Sequence, residues 1–116
     1  MHTVKRQNDV AIITVDAALS QADFDEIEAL KELCVNLQAQ GCTHLVLDMR
    51  QVDHAPSLVL GSIIVLQKRL AAEHGKLAIL NPTARTKRIL EITNMNKIIR
   101  VYADEGEALN ARAGSP

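Results

Sequence analysis

Between Val10 and Val15 the chain reads Val-Ala-Ile-Ile-Thr-Val, a β-branched run suited to a half-buried pleated surface. Thr3-Val4-Lys5-Arg6 precedes it across Asn8-Asp9, a turn pair, so the two segments predict an opening hairpin. From Phe24 the spacing changes. Phe24, Ile27, Leu30, Leu33, Cys34 and Leu37 recur at three and four, with Glu26, Glu28, Lys31 and Glu32 between them, which is the period of an amphipathic helix. Its cap falls between Ser20 and Asp23, and Gly41 stops it.

Leu45-Val46-Leu47 then predicts a short strand covered on both faces. The segment from Ser57 to about Glu73 is apolar almost all round through Leu66 and amphipathic from Gln67, so it predicts a helix whose first half is buried, ended by Gly75. Lys76 to Leu80 is the next strand, and Asn81-Pro82-Thr83 turns the chain into a helix from Ala84 to about Thr93. After a break at Asn94 to Lys97, Ile98 to Val101 reads as a last strand and Asp104 to Ala111 as a terminal helix. Strands alternating with helices after a hairpin predict one α/β domain over residues 1–112, a small mixed β-sheet with about four helices packed on it, and a frayed tail over residues 113–116.

Composition sharpens this picture. At 116 residues the chain is long enough to bury a conventional core without a metal or disulfide staple. Aromatic residues make up only 2%, so that core must be aliphatic. Thirteen basic against 14 acidic residues give a net charge of −1, which supplies no global field for nucleic acid or an anionic membrane; a partner would be chosen by a local surface. Cys34 and Cys42 lack metal-ligand spacing and read as buried reduced thiols. No apolar stretch approaches a bilayer span of about 20 residues, and no secretory leader pattern opens the chain, so the expectation is a cytoplasmic protein.

Ser57 is the main candidate for chemistry. It opens the apolar helix directly after Pro56, where backbone N–H groups point outward and an anion would be tolerated. Its bland role is a first-turn hydroxyl bonded to a free N–H. Ser62, deeper in the helix, should bond a backbone carbonyl. Asp48, Asp53 and His54 sit at a strand end, where acids commonly cap neighbouring N–H groups rather than perform catalysis. Arg85, Lys87 and Arg88 form a basic helix start that would suit an anion, or simply a solvated face. Met49, Met95, Leu58 and Val59 are candidates for an apolar patch around Ser57. The scattered histidines offer no metal-ligand spacing, and neither metal nor cofactor is expected.

In order along the chain, these segments resemble the STAS domain of sulfate transporters and bacterial anti-sigma factor antagonists. Leu45-Val46-Leu47-Asp48 is similar to the family's strand ending in Asp, and Ser57 with Leu60-Gly61 to its Asp-Ser-Ser-Gly-Leu-Gly segment. Gly75-Lys76-Leu77 resembles its Gly-Gly-x-Leu entry to the next strand, Arg88 to Thr93 followed by Asn94-Met95 its Leu-x-x-Thr-Gly-Leu signature, and Asp104 to Leu109 its terminal helix.

The resemblance implies a STAS-like fold and a non-enzymatic regulator, akin to the free-standing antagonist branch. Such a protein would bind an anti-sigma factor that is also a serine protein kinase, with Ser57 as phosphoacceptor and Asp53, His54, Pro56, Leu58, Val59 and Leu60 as the partner-binding segment. Pro56, Leu58 and Val59 depart from the family's Asp, second Ser or Thr, and Gly. Those departures suit an alternative, a constitutive STAS interaction module in a larger lipid-transport or stress-signalling assembly, with no phosphorylation.

Overall fold

The computed structural model describes residues 2–21 and 23–114. The opening hairpin pairs β1 (Thr3–Gln7) antiparallel with β2 (Val10–Thr14), and Asn8 adopts the left-handed backbone, at φ 59°, that the tight turn needs. A 3-10 turn at Ala17–Gln21 follows, unmarked by periodicity, and seats Leu19 in the core. Helix α1 (Phe24–Ala39) starts where Asp23 accepts hydrogen bonds from the Asp25 and Glu26 N–H groups, as the capping signal at Ser20 to Asp23 predicts.

The order β2, β3 (His44–Asp48), β4 (Lys76–Leu80), β5 (Arg100–Tyr102) is parallel and sequential, and β1 completes the sheet as an antiparallel edge. Each crossover steps the same way, and right-handed crossovers therefore place α1, α2 (Ser57–Ala71) and α3 (Ala84–Ile92) on one face. Leu45, Leu47, Leu77 and Ile79 project into the core under that face, against Leu30, Cys34, Ile63, Leu66 and Leu90. The second face carries Val46, Ala78, Leu80 and Tyr102, covered by Ala108 and Leu109 of α4 (Glu105–Gly114). The predicted α/β class, mixed sheet and four helices stand as expected.

Several boundaries move for physical reasons. The last strand begins at Arg100 rather than Ile98, because Asn94 turns left-handed (φ 60°) and sends Met95–Lys97 through a 3-10 turn. Ile99 fills the core while Ile98 points outward. His74, not Gly75, takes the left-handed position (φ 64°) after α2. Gly75 is required for another reason: a Cβ there would collide with Gln38 Nε2 of α1 and press on the Leu70 carbonyl. Helix α4 runs to Gly114, past the expected stop at Ala111, and the rest of the expected frayed tail, Ser115 and Pro116, lies outside the described residues.

Candidate functional site

At the carboxyl end of β3 the chain is gripped on both sides: the Val15 N–H donates to the Asp48 carbonyl at 2.9 Å, and the Met49 N–H to the Leu80 carbonyl at 2.9 Å. The Asp48 side chain is buried and fully engaged. Its carboxylate accepts the Arg50 N–H at 3.2 Å and a forked pair from the guanidinium, Nε at 3.0 Å and Nη2 at 2.6 Å on Oδ2. That carboxylate bonds and attracts the Arg50 guanidinium, holding its pKa above the already high ordinary value. Asp48 is thus a strand-end cap committed to Arg50.

From Met49 to Pro56 the loop is tucked in by Val52 and Ala55, both buried. Its outer side is tied to the start of α3. Thr83 Oγ1 donates to the Asp53 carbonyl at 2.8 Å, and Arg85 Nη1 meets Asp53 Oδ2 at 3.1 Å. Both charged partners of that ion pair are mostly exposed, so it positions more than it stabilises. His54 is half-buried, with Nδ1 enclosed and without a hydrogen bond among the described residues.

Pro56 occupies the cap position of α2 and contributes no side-chain cap. The first intrahelical bond runs from the Leu60 N–H to the Pro56 carbonyl at 3.1 Å, which leaves the amides of Ser57, Leu58 and Val59 ahead of it. Ser57, the first helical residue, is exposed and makes no side-chain hydrogen bond among the described residues. The capping hydrogen bond expected of an ordinary first-turn serine is not made. Ser62 does bond the Leu58 carbonyl, at 2.8 Å, and is half-buried rather than fully enclosed.

The apolar patch differs from the expectation. Val59 and Leu60 point into the core with Ile63, Leu66 and Leu70, and Met49 and Met95 are buried as well. Their side chains offer no outer surface for a partner in this conformation, which corrects the reading of Val59 and Leu60 as surface contacts. Leu58 is 54% exposed, and one further residue absent from the sequence reading joins it: Val65, 58% exposed, on the same helix face. Gly61 and Ser62 lie between them, and a Cβ added at Gly61 would meet nothing within 4 Å. The signal that would have found Val65 is the i, i+3, i+7 spacing of Leu58, Gly61 and Val65.

Arg85, Lys87 and Arg88 are all exposed, and the first of them is already committed to Asp53. Thr83 caps this helix through the Thr86 N–H, at 3.3 Å. Among the described residues no three His, Cys, Asp or Glu side chains are grouped to hold a metal, and no helix is long and apolar enough to cross a membrane.

Comparison with known proteins agrees with this architecture. A provisionally named anti-sigma factor antagonist of Thermotoga neapolitana, a homolog of TM1081, is 31% identical over 75 residues, 65% of this chain and 66% of that protein. The anti-sigma F factor antagonist of Paenibacillus polymyxa is 27% identical over 73 residues, 63% of this chain and 62% of that one. The matched segment thus spans slightly less than two thirds of these relatives. Among solved structures, unphosphorylated SpoIIAA superimposes with a TM-score of 0.78 at 16% identity, covering 100% of this chain and 99% of SpoIIAA. An anti-sigma factor antagonist (STAS) domain protein of Planctomyces limnophilus also gives 0.78, at 20% identity over 97% of both chains. At such identities these structures speak to fold alone. Residues 2–108 match the family described as STAS domain, and with that match covering nearly the whole chain, the protein belongs to the STAS domain family.

Proposed function

We propose that the chain acts as an anti-sigma factor antagonist, a regulator that binds an anti-sigma factor through the start of α2 and is switched by phosphorylation of Ser57. The observation that carries this reading is Ser57 itself: an exposed hydroxyl with no side-chain hydrogen bond among the described residues, opening a helix on a pinned loop beside exposed Leu58. Relatives named as anti-sigma factor antagonists support the partner class. One structural neighbour, SpoIIAA, is solved in phosphorylated as well as unphosphorylated form.

The energetics favour a switch that acts on binding rather than on folding. A phosphoserine carries about −1.5 to −2 charges near neutral pH. At the start of α2 the helix dipole favours that charge by only about 0.3–1 kcal/mol, so the fold stays intact. A partner carboxylate about 4 Å away would be repelled by about 4 kcal/mol per charge pair at an effective dielectric near 20. Since about 1.4 kcal/mol is tenfold in affinity, a fraction of that repulsion releases the partner.

Incubating the chain with a candidate anti-sigma kinase and ATP, then mapping the modification by mass spectrometry, tests the switch. Phosphate on Ser57 with loss of the complex is the expected result. Pro56, Leu58 and Val59, which stand where the family has Asp, a second Ser or Thr, and Gly, favour a second reading in which the chain is a constitutive module of a larger assembly. An unmodified Ser57 with a persistent complex would select that reading.

A further inference from the structure

Ser57 sits beyond the carboxyl end of β3; a separate cavity, whose lining does not include Ser57, opens around the amino ends of β4 and β5. It holds about 690 Å³, within the range of about 300–1,000 Å³ typical of small-molecule sites. Strand register explains its charge. His44 of β3 is paired with Lys76 of β4, and Arg100 of β5 is paired with Ala78, two residues along and therefore on the same face as Lys76. Lys97, in the turn that leads into β5, adds a further ammonium to the wall.

Lys97 and Arg100 thus bring two cations to one wall of the cavity. Among the described residues Glu107 of α4 is the one acid in the lining. Lys97 and Arg100 form no ion pair among the described residues, so their charge faces the cavity uncompensated. Asn96 and Asn110 supply amides at the rim, and exposed Ile98 supplies an apolar edge.

We infer that this cavity binds a small organic anion carrying more than one negative charge, held by Lys97 and Arg100, with the Arg100 fork on a phosphate or carboxylate group. The site is distinct from the Ser57 surface in position and in the charge it selects. Ligand and protein partner therefore occupy opposite ends of the sheet and do not compete for contacts.

Calorimetric titration of the full chain with tripolyphosphate and, separately, with citrate tests the inference, alongside amide chemical-shift mapping of the unsubstituted protein. Binding of either probe is expected, with shifts centred on Lys76, Arg100 and Glu107; the tighter probe identifies phosphate or carboxylate as the preferred group. Lys97→Glu and Arg100→Glu should each weaken binding by about tenfold or more, while Ser57→Asp leaves it unchanged. The inference is overturned if neither probe binds below millimolar concentration, if the shifts centre on Arg85, Lys87 and Arg88, or if folded charge-reversal variants bind as tightly as the parent. Should a reversal unfold the chain, the shift map of the unsubstituted protein decides.

Discussion

Leu58 and Val65 stand seven residues apart on one face of α2, 54% and 58% exposed, with the bare backbone of Gly61 between them. Two turns of helix thus carry exposed apolar side chains around a shallow gap, directly behind Ser57. Val59, Leu60, Ile63, Leu66 and Leu70 of the same helix are buried in the core.

Among the described residues nothing lies within 4 Å of a Cβ at Gly61, and a glycine inside a helix costs about 0.5–1 kcal/mol relative to alanine. Gly61→Ala should therefore raise folding stability by about that amount, read as a higher midpoint in urea denaturation. If a partner seats against the bare backbone, the same substitution weakens partner binding. A variant both more stable and equally well bound would remove Gly61 from the docking surface.

Gly75→Ala should do the opposite to stability. The new methyl would collide with Gln38 Nε2, which donates to the Leu70 carbonyl at 3.0 Å, and would crowd that carbonyl as well. Overpacking of this kind costs about 1–3 kcal/mol. Removing the Gln38 side chain in the same chain should recover only part of the loss, because the Leu70 carbonyl is backbone and cannot retreat.

How much of this arrangement was legible beforehand depends on whether a residue's role is local. The alternation of strand and helix periods, the cap at Asp23 and the break at Asn94 are local, and the chain folds as they predict. The outward face of α2 is not local. Its first half is apolar all round, so Leu58, Val59 and Leu60 look alike until the position of the sheet decides that Val59 and Leu60 are enclosed and Leu58 is not. His44 and Asp48 extend β3 at both ends although both are polar. Asp48 can be buried only because Arg50, two residues on, folds back over it, a relationship no periodicity announces. The cationic cavity is likewise a product of strand register among residues far apart in sequence.

Arg50→Ala should leave the buried Asp48 carboxylate with its single Arg50-position N–H bond and lower stability by about 1–3 kcal/mol, the cost of stranding a buried acceptor. Chemical denaturation at neutral pH checks the value. Asp53→Asn, which breaks an exposed pair with Arg85, should cost under about 1 kcal/mol in the same assay.

Burial pushes the Cys34 thiol up from its ordinary 9.0 to about 12. The folded protein then keeps a proton that the unfolded chain releases, so stability contributed by the neutral thiol is intact below about pH 9 and is lost as pH rises towards 12. Denaturation midpoints should be insensitive to Cys34 below pH 9 and should fall above it, and Cys34→Ala should remove that part of the alkaline slope. Below pH 9 a thiol reagent should modify Cys34 only as fast as the protein opens.

The docking surface is tested most directly by the affinity of the purified chain for its anti-sigma partner with and without Leu58→Glu. Leu58 is exposed, so the substitution should leave thermal unfolding nearly unchanged. A drop in affinity of about 100-fold, roughly 2.7 kcal/mol, is the predicted result for a central apolar contact that acquires a buried charge. An unaltered affinity for a folded Leu58→Glu protein would contradict a partner site at the start of α2.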